Sequence, residues 1–422
     1  MDPSPATALL LVLTLSLSSP VLSVTWPADV SALKALKLAV EPASIAAGSC
    51  LSSWDFERDP CDSAFTDHFT CGLRCDAREP VSGFARVTEI ALDPAGYSGR
   101  LPTSIWSSFP FLESIDLSDN RFSGPIPPPH PSGLPSTLRR IALSRNSFSG
   151  EIPPLAPSPS LEELYLDNNF FSGSIPRGIA RLKRLELQRN NLSGGIPDLR
   201  SLSSLYSMDA SDNNLWGRFP AALPQSLVGL SLRNNKLEGC LPSSVISALP
   251  WLQVLDLSKN SFSGAVPAAV FQHPSLEQLV LANNEFESME EPADGGVGSQ
   301  LIAMDLGHNR LGGMLPGFIG AMPRLRAVTL EANRFAGMIP AEYAVRAAGM
   351  GGAGVVPFAR LMLAGNYLCG PVPSLMLGGG GVAAAVSLGD NCLFRCPMEF
   401  DFCRGAQQKT PATCRDFNPL IP

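Results

Sequence analysis

The stretch LELQRNNLSGGIP, residues 185–197, contains a pattern that returns along most of the chain. Leucine occupies two alternate positions, asparagine follows three residues after the second leucine, glycine follows four residues after the asparagine, and Ile-Pro ends the unit. The asparagine recurs at intervals of 21 to 26 residues, with a last interval of 33. It is found at Asn120, Asn146, Asn169, Asn190, Asn213, Asn235, Asn260, Asn284, Asn309, Asn333 and Asn366. Such self-similarity at a fixed period predicts a chain built from stacked units.

Elementary geometry gives each residue of the unit a task. Leu185 and Leu187 share one face of a strand, because successive side chains alternate between faces, and they point into the coil. Glu186 and Gln188 then point outward. Asn190 turns inward, where its amide can bond backbone groups of the turn that would otherwise be buried unpaired. Stacked coils place their strands side by side about 4.8 Å apart, which predicts one long parallel sheet.

The repeats indicate both a fold class and a family. An earlier unit, VTEIALDPAGYSGRLP, has Ala95 at the asparagine position, so that twelve units occupy residues 87–373. We therefore predict an α/β repeat fold, a leucine-rich repeat solenoid that forms a curved right-handed superhelix with its parallel sheet on the concave face. The unit LxxLxLxxNxxxGxIP resembles the plant-type extracellular leucine-rich repeat. This resemblance points to receptor kinases, receptor-like proteins and polygalacturonase-inhibiting proteins.

The segments around the repeats are predicted to be a leader and two caps. Residues 1–23 carry an apolar run followed by small residues, which is typical of a secretory signal peptide. In residues 24–86, ADVSALKALKLAV predicts an amphipathic helix with Asp29 as its N-cap, and LSSWDFERDPC and CGLRCD resemble the plant N-terminal cap. Residues 374–422 most resemble the Cys-rich tails of receptor-like proteins. The insertion AVRAAGMGGAGVV, residues 344–356, is predicted to be flexible.

The cysteines favour an oxidising compartment, because nine of the 10 crowd towards the two ends of the repeats. Disulfide-stapled caps are expected from Cys50, Cys61, Cys71, Cys75, Cys392, Cys396, Cys403 and Cys414. In the N-terminal cap we favour the pairs Cys61–Cys75 and Cys50–Cys71. Cys240 stands alone between the clusters and is predicted to be a buried free thiol. A zinc site is disfavoured, because the His and Cys pairs of a zinc finger do not accompany Cys71 and Cys75.

Composition and charge exclude several kinds of partner. Charged residues make up only 16% of the chain, the net charge is −7, and Lys and Arg form no cluster. Nucleic acid and anionic membranes are therefore not expected as partners. No segment after the leader is long and apolar enough to span a bilayer. We expect a protein secreted to the apoplast or cell wall, with a possible plasma-membrane association through a partner.

The outward positions of the repeats are the candidate binding surface. They lie one, two, four and six residues before each asparagine. The third to fifth units carry large charged and aromatic residues there, whereas later units carry small ones such as Ala303 and Ala327. The predicted site comprises Arg140, Arg145, Glu163, Tyr165, Asp167, Arg184, Glu186 and Arg189. Arginine and tyrosine often anchor interfaces. A solvated face with mutual ion pairs is the alternative interpretation, and no strand offers an Arg-x-Arg clamp for a peptide carboxylate.

Catalytic, metal and cofactor sites are not expected. His308 and Asp305 share one strand, but no nucleophilic Ser or Cys has a place beside them in the pattern. The aspartates that recur at one outward position are typical of the LDLS strand and do not indicate paired catalytic carboxylates. The one glycosylation sequon, Asn191-Leu192-Ser193, directly follows Asn190, and Asn191 is expected to be exposed and glycosylated.

Three functions fit these observations. The first is a non-catalytic recognition protein that binds a protein or peptide ligand, such as a receptor kinase ectodomain, in plant cell-surface signalling. The second is an inhibitor of a cell-wall-degrading enzyme, similar to polygalacturonase inhibitors. The third is a structural protein of the wall. The long Cys-rich tail and the number of repeats favour the first hypothesis, because the inhibitors typically have fewer repeats and a plainer C-terminal cap.

Overall fold

The computed structural model describes residues 24–131, 133–155, 158–176, 181–352, 354–377, 383–394, 396–397, 400–404 and 407–417. The predicted signal peptide, residues 1–23, lies outside these ranges. The described chain is the predicted solenoid, in which successive coils contribute one strand to a long sheet and a second strand to shorter sheets. Among its described helices, none has the length and apolar character needed to cross a membrane.

The long sheet has 14 strands that follow one another in chain order. The first strand is antiparallel to the second, and the pairs that follow are parallel. The strands are Leu73–Arg74, Glu89–Ala91, Ser114–Asp116, Arg140–Ala142, Glu163–Tyr165, Arg184–Glu186, Ser207–Asp209, Gly229–Ser231, Val254–Asp256, Gln278–Val280, Ala303–Asp305, Ala327–Thr329, Arg360–Met362 and Ala385–Ser387. In most units, only three residues of each coil form pairs in this sheet. Each coil therefore contributes a narrow band to the concave face.

The second strands of the coils form three further sheets, which we call the back sheets. Their strands are Ser98–Gly99, Arg121–Gly124, Ser147–Glu151 and Phe170–Ser172; Ser193–Gly194, Asn214–Arg218, Lys236–Gly239, Ser261–Val266 and Glu285–Met289; and Gly312–Met314, Arg334–Gly337, Tyr367–Pro371 and Cys392–Phe394. A hairpin of Ala77–Arg78 and Ala85–Arg86 belongs to the N-terminal cap. The α-helices are Pro27–Leu38, Cys50–Ser53, Ile105–Ser108, Ser243–Ser247, Ala268–Phe271, Gly317–Ala321, Ala341–Ala347, Asp401–Arg404 and Pro411–Phe417, and the 3-10 helices are Pro42–Ser44 and Ser374–Met376.

The core is a continuous column of side chains that point into the coils. Leu164 pairs in register with Leu185, and Leu185 with Met208, and all three are at most 2% exposed. Behind the turn, the rings of Phe148 and Phe171 stack with their centroids 6.2 Å apart. Because a single coil cannot enclose these groups, burial requires neighbouring coils on both sides.

The asparagine ladder forms as predicted. The Nδ2 of Asn190 donates to the carbonyl oxygens of Leu166 in the preceding coil and of Leu187 and Gln188 in its own. Its Oδ1 accepts the backbone N–H of Phe171 at 3.0 Å. Each ladder asparagine therefore joins two coils. The residue before it adopts a left-handed backbone, as at Arg189 with φ 57°.

The ladder extends one unit past residue 373, into the segment 374–422 that was predicted as the C-terminal cap. Asn391 donates to the carbonyl oxygens of Leu363 and Leu388, and it accepts the N–H of Leu368. Strand Ala385–Ser387 of this unit ends the long sheet. The tail thus adds a coil to the twelve counted in the sequence before it closes the solenoid.

Asp29 does not cap the first helix, contrary to the prediction. The helix begins at Pro27, after Trp26, which makes no side-chain capping bond. Asp29 is instead completely buried. Its carboxylate accepts hydrogen bonds from Nε and Nη2 of Arg86, at 3.0 and 2.8 Å, and from the backbone N–H of Val87 at 2.9 Å. The carboxylate is thus engaged by the buried guanidinium of Arg86 and does not cap the helix.

Disulfides close both caps. The bonded pairs are Cys50–Cys71, Cys61–Cys75, Cys392–Cys414 and Cys396–Cys403. The two N-terminal pairs are those favoured from the sequence. Cys50 and Cys71 lie close to Asp93, but the bond between their sulfurs removes them as metal ligands. The carboxylate of Asp93 has a structural role, since it accepts the hydroxyl of Tyr97 at 2.6 Å.

The prediction for Cys240 is half wrong. Its thiol is free, but the residue is exposed, because it lies just beyond strand Lys236–Gly239 at a position that faces outward. A second free thiol, Cys369, is half-buried against the bond between Cys392 and Cys414.

The described residues of the insertion, 344–352 and 354–356, are anchored, whereas the sequence predicted a flexible segment. Its first residues complete helix Ala341–Ala347. From this helix the buried Arg346 donates to the carbonyl oxygens of Ile319, Gly320, Leu325 and Val356. Burial lowers the pKa of Arg346 to about 10. Backbone acceptors, and not a carboxylate, therefore hold this cation and tie the segment to the preceding coil.

Candidate functional site

Five of the eight predicted site residues form one contiguous group on three neighbouring strands of the long sheet. Arg140, Glu163 and Arg184 are aligned across the strands, and Tyr165 and Glu186 are aligned two residues further on. Their side chains share the outward face because residues two apart in a strand point the same way. We call these five residues the Arg/Tyr cluster.

Arg140 is the centre of the Arg/Tyr cluster. Its Nη1 lies 2.9 Å from the Oε2 of Glu163, and its Nη2 lies 3.2 Å from the Oδ2 of Asp116. The guanidinium lies over the ring of Tyr165, with 4.4 Å between its carbon and the ring centroid. Two carboxylates and one aromatic face thus fix the orientation of this cation.

The other half of the cluster is arranged in the same way. Arg184 donates through Nε to the Oε1 of Glu186 at 2.9 Å. Burial raises the pKa of Glu186, and the attraction of Arg184 only partly opposes this shift. The hydroxyl of Tyr165 donates to Glu163 at 3.2 Å. Tyr165 therefore has contacts on both sides, with Arg140 against its face and a carboxylate at its polar tip.

The remaining predicted site residues lie apart from the cluster. Arg145 and Arg189 occupy the turn before the ladder asparagines, with left-handed backbones, and Arg145 pairs with Asp119 at 3.2 Å. Asp167 is only 8% exposed, and its carboxylate accepts the hydroxyl of Ser144 and the amide of Asn168. The two arginines can extend a contact surface at the rim, but Asp167 is occupied by its own neighbours.

The mutual ion pairs of the alternative interpretation are present. However, the side chains of Arg140, Asp116 and Glu163 remain 37%, 32% and 35% exposed. Pairs with this exposure contribute little to folding stability. Their main physical effect is to hold charged groups in fixed positions at a surface that a partner can reach, and a partner would meet a preorganised arrangement.

Two residues of this surface were missed from the sequence. Asp116 was assigned only to the recurrent aspartates of the strand, although it also pairs with Arg140. Tyr206 lies seven residues before Asn213, just outside the positions that were considered, and is 39% exposed. Its backbone N–H bonds to the carbonyl oxygen of Lys183, which places it beside Arg184. An exposed aromatic residue at the start of a strand is the signal that would have identified it.

A row of charges borders the cluster at the same strand starts. Glu162 lies between Arg139 and Lys183, at 3.2 and 2.8 Å from their nitrogens. Hydrogen bonding to Lys183 is the main cause of the lowered pKa of Glu162. This row and Tyr206 extend the polar surface towards one rim of the concave face.

The recurrent aspartates are structural, in agreement with the interpretation from the sequence. Asp209, Asp256 and Asp305 each accept the backbone N–H of the residue two positions later. His308 lies 3.7 Å from Glu331 in an exposed pair on the next coil. The hydrogen bonds of the three aspartates stabilise the turns that follow their strands, which explains the aspartate at this position.

Comparison with known proteins identifies the repeats. Two family models described as leucine-rich repeats match the chain, one over residues 225–286 and the other over residues 111–132, 160–182 and 181–202. Among curated relatives, Receptor-like protein 35 of Arabidopsis thaliana is 33% identical over 223 residues, or 52% of this chain and 21% of the relative. Receptor-like protein 53 of Arabidopsis thaliana is 36% identical over 218 residues, or 52% of this chain and 20% of the relative. The chain thus spans about a fifth of the length of these relatives.

Two solved structures contain similar solenoids. The structure titled PEPR1-AtPEP1 matches with a TM-score of 0.71 and 29% identity, over 91% of this chain and 51% of that chain. A structure titled plant peptide hormone receptor RGFR1 in complex with RGF2 matches with a TM-score of 0.62 and 27% identity, over 72% of this chain and 48% of that chain. The chain covers about half of each.

Proposed function

We propose that this chain, a plant extracellular leucine-rich repeat protein of the receptor-like type, is a recognition protein without catalytic activity. It binds an extracellular peptide or a receptor ectodomain through its concave face. The contact is centred on the Arg/Tyr cluster, and Arg145 and Arg189 extend it at the rim.

The geometry around Arg140 carries this proposal. The guanidinium is fixed between two carboxylates and stacks on Tyr165, yet about a third of the side chain stays exposed. A partner with an acidic or carbonyl group can bind the free N–H donors of such an arginine, and an apolar group can pack on the tyrosine ring. Because the strands are held by the ladder, little conformational entropy is lost when the partner binds.

The comparisons support the kind of partner. The two matched structures, at 27% and 29% identity, are titled as a plant peptide hormone receptor RGFR1 in complex with RGF2 and as PEPR1-AtPEP1. A peptide or a receptor ectodomain is therefore the first partner to test for this chain.

An extracellular location completes the proposal. Four disulfides close the two caps, and such bonds persist in oxidising compartments. Residues 1–23 would act as the signal peptide and be removed on secretion. Residues 24–86 and 374–422 would then protect the ends of the repeats in residues 87–373, since exposed ends of a solenoid need capping.

Capture from plant extracellular fluid and membranes tests the proposal. The secreted protein and its Tyr165→Ala/Arg184→Ala variant are immobilised in parallel, and bound proteins and peptides are compared by mass spectrometry. The proposal predicts a partner that is retained by the native chain and depleted on the variant. Retention of the same partner by both would exclude the Arg/Tyr cluster as the binding site.

A parallel enzyme assay distinguishes the recognition hypothesis from the inhibitor hypothesis. Fungal polygalacturonases are incubated with the purified protein, and the release of reducing ends is followed. Recognition in signalling predicts unchanged activity. Inhibition at sub-micromolar protein would instead establish the second hypothesis of an inhibitor of wall-degrading enzymes.

A further inference from the structure

The glycosylation sequon lies on a back sheet, next to two exposed aromatic rings. Asn191 is exposed, whereas Leu192 in the middle of the sequon is completely buried. Phe170 and Trp216 are 64% and 59% exposed. Large aromatic side chains contribute favourable surface when they are covered, so two of them near one modifiable amide indicate that something covers them.

Hydrogen bonds between coils establish that Phe170 and Asn191 are neighbours. The N–H of Asn191 bonds to the carbonyl oxygen of Phe171 at 2.8 Å, as the N–H of Asn214 bonds to that of Leu192, so Asn191 lies opposite Ser172 and Phe170 is its diagonal neighbour on the preceding coil. Both follow a ladder asparagine directly, so they occupy equivalent positions, and their side chains point outward on the same face. The ring of Phe170 is therefore the surface that borders Asn191 on the side of the preceding coil.

The amide of Asn191 is oriented by the following coil. Asn214 donates through Nδ2 to the Oδ1 of Asn191 at 2.6 Å. Because the carbonyl side of the amide is turned to Asn214, its Nδ2 does not face that residue. No described residue accepts a hydrogen bond from this nitrogen. The nitrogen that a transferase modifies thus stays available for a sugar.

We propose that Asn191 carries an N-linked glycan whose first N-acetylglucosamine packs on the ring of Phe170. The transferase of the secretory pathway forms a bond between the Nδ2 of Asn191 and C1 of the sugar. The bond between C1 and the lipid diphosphate donor breaks, the diphosphate leaves, and the amide loses one proton. The C–H groups on one face of the pyranose then cover the electron-rich face of the ring.

Trp216 provides the outer part of the same platform. Asn214 pairs with Ser193 of the sequon, and Trp216 lies two residues further on the same outward face. Trp216 is the diagonal neighbour of Ser193, about 7–8 Å away, so the second sugar of a glycan that runs from Asn191 along the coil towards Ser193 can reach this ring. The glycan then covers the back sheet, and the concave face with the Arg/Tyr cluster stays open.

Glycopeptide analysis and thermal melting test this proposal together. The protein is secreted from cells that add high-mannose glycans, and occupancy of Asn191 is measured by mass spectrometry. Three forms are melted: the full glycoprotein, the form trimmed by endoglycosidase H to a single N-acetylglucosamine, and Ser193→Ala, which retains Asn191 but not the sequon. The full glycoprotein should melt about 1–2 °C above Ser193→Ala. If the first sugar packs on Phe170, the form with a single N-acetylglucosamine should keep most of this increase in Tm.

The Phe170→Ala background identifies the ring that is responsible. There the increase in Tm from the single sugar should fall to less than half. Phe394→Ala is the matched control, because Phe394 is 47% exposed and also lies on a back sheet; in that background the increase should be unchanged. An unoccupied Asn191, or an increase that is equal in the Phe170→Ala and Phe394→Ala backgrounds, would overturn the proposal.

Discussion

Replacing a ladder asparagine in the middle of the solenoid should destabilise the stack far more than an ordinary surface change. In Asn309, the Oδ1 accepts the N–H of Phe286 at 3.1 Å, and the Nδ2 donates to the carbonyl oxygens of Leu281, Leu306 and Gly307 at 3.0, 3.0 and 3.2 Å. Asn309→Ala removes all four bonds from a residue that is 8% exposed.

The magnitude follows from the groups that are left behind. The orphaned N–H of Phe286, a completely buried residue, costs about 1–3 kcal/mol, and the carbonyl groups that lose a donor add about 1 kcal/mol. We therefore expect a loss of about 2–4 kcal/mol. Asn235→Ala should cost less, about 1–3 kcal/mol, because Asn235 is half-buried and water can replace part of its bonds.

Urea unfolding and hydrogen exchange measure this loss. Lys236→Ala, at an exposed position, is the control. Because long repeat arrays need not unfold in two states, exchange is followed in peptides on both sides of Asn309 as well as globally. The variant should lose protection at the junction of the coils around residues 281–309. Equal stability and equal local exchange in Asn309→Ala and Lys236→Ala would refute the ladder as a source of stability.

Three further predictions concern the caps, the free thiols and the cluster. Asp29→Ala should cost about 3–5 kcal/mol, because Arg86 would be left buried without its carboxylate, and a denaturant titration that shows no loss would contradict this. Iodoacetamide should label Cys240 in the native protein faster than the half-buried Cys369, and peptide mapping would show the reverse order if this is wrong. Burial raises the pKa of Glu186 above its unfolded value, so the folded state binds more protons and stability should fall as pH rises above the usual range of a glutamate pKa. Glu186→Gln should flatten this fall in Tm, and an unchanged slope would argue against it.

Much of the fold was predictable because one repeated constraint acts on every coil. Alternate leucines such as Leu185 and Leu187 must be buried together, and the amide of Asn190 is needed to pair the turn. Asn391, the asparagine of the thirteenth unit, was missed because this unit lacks the glycine four residues later and the Ile-Pro ending. Its ladder bonds depend on the asparagine and on the inward leucine, and both of these are present.

Contacts between distant residues were harder to predict. Asp29 stands early in a helix, where an acidic residue fits a cap equally well, and its partner Arg86 is 57 residues away in sequence. Cys240 was assigned to the interior as a lone cysteine, although its place after the strand faces outward. For the cluster, the sequence placed Arg140 and Tyr165 on adjacent strands. It could not show that the guanidinium lies over the ring or that Asp167 is occupied by its neighbours.

The titration of a captured partner against matched variants tests the central claim most directly. Tyr165→Ala/Arg184→Ala removes the ring and one cation of the Arg/Tyr cluster, and Ala303→Ser/Ala327→Ser changes the later strands of the same face. Isothermal titration calorimetry should show binding weakened by about 2 kcal/mol or more in the first variant and little change in the second, with melting temperatures close to that of the native chain. Unchanged affinity in Tyr165→Ala/Arg184→Ala would contradict recognition through this face.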